Sequence, residues 1–79
     1  MWYVYAILSE VNGFIYVGVC MDLERRLKEH NAGKSKFTKA YLPWKLIFKE
    51  FVGERDKARM REKYLKSGIG KEFLKTLVP

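Results

Sequence analysis

The sequence predicts a small α/β fold of the α+β type, in which helices cover a three-stranded antiparallel sheet in the order β-β-α-β-α-α. Three aromatic and β-branched stretches have strand character. The first two are joined by Asn12-Gly13, a pair typical of hairpin turns. Charged segments with apolar residues at helical spacing follow the second and third stretches. With 79 residues and 48% apolar content, we expect one domain, residues 1–79, around a compact core.

Each predicted strand is bounded by a turn signal. We expect the strands at residues 2–8, 14–19 and 44–51. The hairpin turn makes the first two antiparallel, and Pro43 and Gly53 flank the third. If the hairpin loop holds an even number of residues, Tyr5 and Tyr16 point to the same face of the sheet. Tyrosines in strands are otherwise core residues or cross-strand aromatic pairs.

Three helices complete the predicted fold, at residues 23–31, 55–66 and 71–77. Asp22 is a good N-cap for the first helix, and Gly33 follows its end. Ser67-Gly68 stops the second helix. On this second helix Met60 and Tyr64 form a further apolar side, which we expect to belong to the core, with a partner contact as the alternative.

The composition points to an acidic partner. The formal net charge is +7 and the pI is about 9.7, which favours nucleic acid as the partner. The single cysteine, Cys20, excludes an internal disulfide and a cysteine zinc site, and it fits a cytoplasmic protein whose thiols stay reduced. No apolar stretch approaches the roughly 20 residues needed to cross a bilayer, and no leader sequence is visible. We therefore expect no membrane partner.

The first predicted helix separates two adjacent arginines. Leu23 and Leu27 define its apolar stripe, and at about 100° per residue Arg26 and His30 fall near that stripe, whereas Arg25 points to solvent. A charge turned toward the sheet is costly unless it is paired. Arg26 is therefore a candidate for a functional charge, or it extends along the core and reaches solvent. His30 is a candidate functional base, or a packed or capping residue.

Glu62 stands on the apolar stripe of the second helix, between Ala58 and Leu65. Three explanations are open for a carboxylate there: a buried pair with Arg26, a metal ligand, or a general base. Glu62 can also tilt to the edge of the helix and be solvated. As a ligand it would suit Mg²⁺, which takes one or two protein carboxylates and keeps several waters.

Several motifs together resemble the GIY-YIG nuclease superfamily, and within it the small stand-alone bacterial members. The similarity covers nearly the whole chain. The motifs that carry it are Tyr3-Val4-Tyr5, Tyr16-Val17-Gly18, Asp22-Leu23-Glu24-Arg25-Arg26, Glu29-His30-Asn31-Ala32-Gly33, Leu42-Pro43-Trp44 and Arg61-Glu62-Lys63. The first motif departs from its name, because Tyr3 and Val4 occupy the glycine and isoleucine places. Tyr5, the position relevant to the chemistry, is retained.

The resemblance implies an endonuclease that hydrolyses phosphodiesters with a single divalent metal, Mg²⁺ or Mn²⁺. By this analogy Tyr5 and Tyr16 flank the scissile phosphate and one of them activates water. Arg26 would stabilise the developing charge, His30 would orient or shuttle a proton, and Glu62 would hold the metal. A tyrosine with a pKa of about 10 is a poor base unless a cation lowers that value.

The basic segments are the expected nucleic-acid contacts. The residues concerned are Lys34, Lys36, Thr38, Lys39 and Lys71. After the basic loop many family members carry a further polar site residue, for which Lys36 and Thr38 are both candidates. The segment at 67–71 either binds phosphate through backbone N–H groups or forms a tight turn between helices.

We expect DNA rather than RNA as substrate, cleaved in a structure-directed or weakly sequence-specific way, by a monomer or weak homodimer. The alternative functions are a nucleic-acid-binding module with weak or no cleavage, and a protein-interaction role for the basic domain. A binding module would keep salt-dependent binding after Glu62→Ala. An interaction domain would show no metal dependence.

Overall fold

The computed structural model describes residues 1–79 and confirms the predicted order of elements. The strands are β1 (Trp2–Ser9), β2 (Ile15–Cys20) and β3 (Trp44–Gly53). The helices are α1 (Leu23–Asn31), α2 (Arg55–Lys66) and α3 (Gly68–Lys75). A short 3₁₀ turn at Lys39–Tyr41, which the sequence pattern did not predict, precedes β3. No helix has the length and apolar character needed to cross a membrane.

β1 is the central strand of the sheet, whose order is β2-β1-β3 with both pairs antiparallel. The hairpin turns at Gly13, which has a positive φ of 78° that glycine adopts readily. In the resulting register Tyr5 lies opposite Gly18, and Ile7 lies opposite Tyr16. Because side chains alternate between the faces of a strand, Tyr5 and Tyr16 share one face, as the even hairpin loop predicts.

Each face of the sheet has its own core. On one face α2 and α3 cover the sheet through the buried residues Val4, Ala6, Val17, Ala58, Leu65 and Leu74. On the other face α1 and the 3₁₀ turn cover Tyr5, Ile7, Cys20 and Trp44. β1 is therefore buried on both sides. Cys20 is a packed residue of this second core, since only 7% of it is exposed.

The start of α3 differs from the prediction. The helix begins at Gly68, three residues earlier than expected, because the Ser67 hydroxyl accepts a hydrogen bond from the Gly70 backbone N–H at 3.3 Å and caps it. Gly70 packs directly on the backbone of Leu65 in α2, so that a Cβ atom there would overlap it. The tight turn between α2 and α3 is thus Ser67 alone, and residues 68–71 form the first turn of α3.

The expected core role of Met60 and Tyr64 is wrong. Met60 is 72% exposed and Tyr64 is 43% exposed. Both lie on the side of α2 away from Ala58 and Leu65, which face the sheet, and no second layer covers that side. The Arg61 guanidinium lies over the Tyr64 ring at 5.0 Å instead.

Candidate active site

Four of the predicted site residues converge on the face of the sheet that α1 covers. Tyr5 and Tyr16 come from neighbouring strands, and their ring centroids are 6.4 Å apart. His30 from the last turn of α1 lies against both, at 5.8 Å from the Tyr5 ring and 5.2 Å from the Tyr16 ring. Arg26, one turn earlier on the same helix, lies beside the Tyr5 hydroxyl. We call Tyr5, Tyr16, Arg26 and His30 the α1-face cluster.

A chain of three buried polar side chains runs through this cluster. The Tyr5 hydroxyl is 2.8 Å from His30 Nε2, and His30 Nδ1 is 2.8 Å from the Thr38 hydroxyl. All three residues are at most 1% exposed. A neutral imidazole donates through one nitrogen and accepts through the other, so the chain can carry a proton in either direction. Of the two candidates after the basic loop, the structure brings Thr38 to His30. Because Thr38 is fully buried there, its expected contact with nucleic acid is wrong.

Burial keeps both Tyr5 and His30 neutral near pH 7. Desolvation raises the pKa of Tyr5 to about 12, against the opposing effect of the neighbouring Arg26 guanidinium. Desolvation, together with the positive charge of Arg26, lowers the pKa of His30 to about 4. In the free protein, then, Tyr5 is a phenol and His30 is an uncharged acceptor or donor.

Arg26 and Arg25 differ in solvent exposure, as the helical spacing predicts. The Arg26 side chain is 34% exposed and the Arg25 side chain is 76% exposed. Burial acts to lower the pKa of Arg26, but the Tyr5 hydroxyl and the Glu29 carboxylate outweigh it, so that the pKa is raised. Arg26 Nη1 is 3.2 Å from Glu29 Oε1. The partner of Arg26 is therefore Glu29, and the buried pair with Glu62 considered from the sequence is wrong.

Gly18 makes room for the Tyr5 side chain. A Cβ atom at position 18 would lie 2.6 Å from the Tyr5 hydroxyl oxygen and 2.8 Å from the ring carbon that bears it. Any larger residue would push the hydroxyl away from His30. The close approach of strand backbone to phenol explains why a glycine follows Tyr16-Val17 at this place.

Two residues that the sequence singled out only as parts of motifs, and not as site residues, position Thr38. Asn31 at the end of α1 holds the start of β3 through both ends of its amide, which contact the Trp44 N–H at 2.7 Å and the Trp44 carbonyl at 3.0 Å. The Trp44 indole N–H then donates to the Thr38 carbonyl at 2.8 Å. The asparagine at the end of α1 was visible in the sequence. Its partner, Trp44, lies 13 residues away, and residue spacing does not predict that contact.

Glu62 lies on α2, on the opposite side of the sheet from the α1-face cluster. Its side chain is 13% exposed, and its carboxylate oxygens are 3.2 Å from Arg59 Nη1 and 3.1 Å from Lys66 Nζ. The structure does not bring Glu62 into direct contact with Tyr5 or Arg26. The link between them is Lys66, which lines a groove at the β2 edge together with Tyr16.

The protein offers few side-chain ligands for a metal ion. No group of three or more His, Cys, Asp or Glu residues lies close enough to hold an ion. A single carboxylate nevertheless fits Mg²⁺, which keeps several waters and accepts substrate phosphate oxygens as ligands. Glu62 is the candidate carboxylate because its partner Lys66 lines the groove that Tyr16 also lines, and an ion there would replace part of its contact with Arg59 or Lys66.

The lysines expected to contact nucleic acid are all exposed and have no carboxylate within ion-pair distance. They are Lys34, Lys36, Lys39 and Lys71. The first three lie in the segment that also carries Thr38, next to the α1-face cluster. Unpaired exposed ammonium groups stay available to phosphates.

Because His30 is buried in its neutral form, we expect the protein to lose stability in acid. Its pKa of about 4 in the folded protein is below the ordinary 6.5, so between these values the unfolded chain binds more protons. The contribution of His30 is fully present above pH 6.5 and is lost as the pH falls toward 4, on the order of 3 kcal/mol. Urea unfolding across this window should show that loss.

His30→Gln is the control for this prediction, because it keeps hydrogen-bonding capacity without a titrating ring. Its free energy of unfolding should change less between pH 6.5 and pH 4 than that of the wild type. Arg26 lowers the pKa of Glu29, but Glu29 is present in both proteins, so its contribution to acid sensitivity is common to them. Parallel losses in both proteins would show that buried His30 is not the source.

Comparison with known proteins identifies relatives of the chain. The model of the GIY-YIG catalytic domain matches residues 1–73. A UPF0213 protein of Bacillus licheniformis is 41% identical over 61 residues, an alignment that covers 76% of this chain and 63% of the relative. A UPF0213 protein of Staphylococcus haemolyticus is 33% identical over 76 residues, which is 95% of this chain and 92% of that protein.

A solved structure supports the same fold. The solution NMR structure of a UPF0213 protein from Bacillus halodurans superposes with a TM-score of 0.58 at 32% identity, and the match covers 98% of this chain and 85% of that one. The names of these relatives state no reaction, substrate or metal.

Proposed function

Since this chain belongs to the GIY-YIG nuclease family, we propose that it is a metal-dependent endonuclease that hydrolyses phosphodiester bonds in DNA. The observation that carries the proposal is the α1-face cluster, in which a partly exposed arginine adjoins a buried Tyr5–His30–Thr38 chain. A cation beside a proton-carrying chain is what phosphodiester hydrolysis needs, since the reaction builds negative charge and removes a proton from water.

Arg26 is the proposed phosphate ligand. Its guanidinium stays charged and can bind two phosphate oxygens in a fork. With one third of its side chain exposed, it is accessible to substrate while still fixed by Glu29. In the transition state it would stabilise the added charge on the phosphoryl oxygens.

The Tyr5–His30–Thr38 chain is the proposed route for the proton of the attacking water. Water donates to the Tyr5 hydroxyl oxygen while Tyr5 passes its own proton to His30 Nε2, and His30 Nδ1–H remains bonded to Thr38. The charge of Arg26 helps to keep the pKa of His30 low in the free protein. A bound phosphate anion would offset this charge, so His30 accepts the proton more readily once substrate is present. Tyr16 would orient the water or phosphate from the adjacent strand.

A divalent metal is typical of GIY-YIG nucleases, and Glu62 is the residue that would hold it. When bound, such an ion polarises the phosphate and stabilises the leaving oxygen. The support for Glu62 is its low exposure of 13% and its ion pair with Lys66 in the groove shared with Tyr16. Arg59, at 3.2 Å, is the second ion-pair partner of this carboxylate.

We propose that cleavage is directed by DNA structure, such as nicks, flaps or branches, more than by sequence. A sequence-specific interface takes about 1,000 Å² or more of protein surface, which would be about a fifth of the 5319 Å² that the whole domain exposes. The domain would act as a monomer or weak homodimer.

Cleavage of flap and plain duplex substrates with Mg²⁺ or Mn²⁺ tests whether DNA structure directs cleavage, and we expect the flap to be cut faster. A strongly sequence-specific ladder from a random-sequence duplex would contradict it.

The second candidate is a nucleic-acid-binding module with weak or no cleavage. The observation that favours it is the high pKa of Tyr5, about 12, which leaves this residue a poor base by itself. Such a module would bind DNA in a salt-dependent way with or without metal, and Glu62→Ala would not change its binding. Metal-dependent cleavage would exclude it.

A further inference from the structure

A groove of about 1020 Å³ runs along the outer edge of β2, from the α1-face cluster to the helices on the other side of the sheet. One end is aromatic and is lined by Phe14, Tyr16 and Phe37. The other end, formed by α2, α3 and the residues after α3, carries the basic side chains of Lys66, Lys71 and Lys75 around an apolar floor of Leu65, Leu74 and Val78. We call this the β2-edge groove. Its two ends differ in chemistry, and Tyr16 belongs both to the groove and to the α1-face cluster.

The aromatic end of the groove carries two phenylalanine rings that are mostly exposed and lie outside the core. Phe37 is 69% exposed and Phe14 is 55% exposed. The Phe37 ring lies 5.9 Å from the Tyr16 ring at an interplanar angle of 39°. Exposed aromatic rings that gather next to a functional side chain indicate a binding surface, and a nucleic-acid base can stack on such a ring.

The basic end supplies charge that is complementary to phosphate. Lys71 has no carboxylate partner, and Lys75 lies 3.5 Å from Glu72 with 65% of its side chain exposed. Lys66 is bound to Glu62, so a phosphate there would lie next to the proposed metal ligand. Rings on which bases stack, combined with lysines that follow the phosphate backbone, are the features by which proteins bind a single strand.

We propose that the β2-edge groove binds an unpaired DNA strand and directs it to the α1-face cluster. The proposal rests on the proposed nuclease function for what happens at the cluster, but binding in the groove needs no cleavage. An unpaired strand is the occupant because the bases of a duplex are stacked inside it and cannot present a face to Phe37. The arms of flaps and branches have this form, which accounts for a preference for such substrates.

The test is binding of a labelled oligothymidylate and of a blunt duplex, measured by fluorescence anisotropy in EDTA. Phe37→Ala should weaken single-strand binding about tenfold, in line with the loss of one stacked base, and should leave duplex binding unchanged. Phe37→Trp should restore it. Phe51→Ala is the matched control, since Phe51 is 56% exposed on β3 at the other edge of the sheet.

The basic end is tested in the same experiment with Lys71→Gln. The slope of log K against log salt for the single strand should fall by about 0.7, the value for one lost phosphate contact. Lys57→Gln, which removes an exposed lysine on α2 outside the groove, should leave the slope unchanged.

Three results would overturn the proposal. They are an absence of single-strand binding by the wild type, an equal effect of Phe37→Ala on single strand and duplex, and a self-association lost in Phe37→Ala without any effect on DNA. The last would assign the groove to a second copy of the chain. If the protein cuts DNA but fails this binding test, the groove proposal is rejected and the nuclease function is not. If it passes the binding test but never cuts DNA, the nuclease function is rejected and the groove proposal is not.

Discussion

Arg26→Ala should lower the rate of DNA cleavage by at least about 100-fold, the loss expected when a donor to the transition-state charge is removed. Arg26 lies beside the Tyr5 hydroxyl, and 34% of its side chain is open to solvent, so it can contact both substrate and the proton-carrying chain. Its removal should also raise the pKa of His30, because the charge of Arg26 helps to lower it. Single-turnover cleavage of one flap substrate measures the rate, and NMR titration of His30 measures the pKa.

Arg25→Ala provides the matched control, because Arg25 shares the helix and the partner Glu29 but is 76% exposed and faces away from the site. It should change the rate by no more than about threefold, as expected for a surface ion pair. Arg26→Lys keeps the charge without the planar fork and should recover only part of the rate. Equal effects at positions 25 and 26 would show that Arg26 contributes general charge and not a specific contact.

Tyr5→Phe should reduce cleavage by about 100- to 10,000-fold, the range for loss of a group that transfers a proton in the transition state. The substitution removes a hydroxyl that is 2.8 Å from His30 Nε2 and leaves the ring in place. It also leaves a buried nitrogen unpaired, so we expect a loss of about 1–3 kcal/mol in the free energy of unfolding. Circular dichroism and urea unfolding would verify that the variant remains folded under the assay conditions.

Tyr3→Phe is the control on the same strand and face. Tyr3 packs edge-on against Phe51 and makes no hydrogen bond to the site. Its cleavage rate should match that of the wild type. If Tyr5→Phe keeps nearly full activity while Tyr16→Phe loses it, then Tyr16 is the residue that activates water, and the Tyr5–His30–Thr38 chain has a structural role.

Much of the architecture was predictable from local signals. Asp22 caps α1 as expected, with its carboxylate 3.1 Å from the Arg25 N–H. The bounds of α1 and α2 match the prediction, and each predicted strand lies within two residues of its observed ends. The Asp22 cap, the hairpin turn at Gly13 and the positive φ of Gly53 at the end of β3 are local signals, so neighbouring residues determine where these elements begin and end.

The contacts within the site were less predictable because they depend on distant segments. Thr38 reaches His30 only because Asn31 and Trp44 hold the loop between them, and no spacing rule relates these three residues. The role of Gly18 depends on the ring across the strand pair. Helical periodicity predicted that Glu62 would be largely buried. It did not predict the partners of Glu62, which are Arg59 and Lys66 on the same helix.

The measurement that tests the central claim most directly is nicking of a supercoiled plasmid by the purified protein with Mg²⁺ or Mn²⁺, with EDTA, and with the Glu62→Ala variant. Glu50→Ala is the matched control, because it removes another ion-paired carboxylate, 2.8 Å from Arg61 and remote from Tyr16. We predict nicking that requires metal, is lost in Glu62→Ala and persists in Glu50→Ala. Metal-independent nicking, or equal metal-dependent nicking by the wild type and folded Glu62→Ala, would contradict the account.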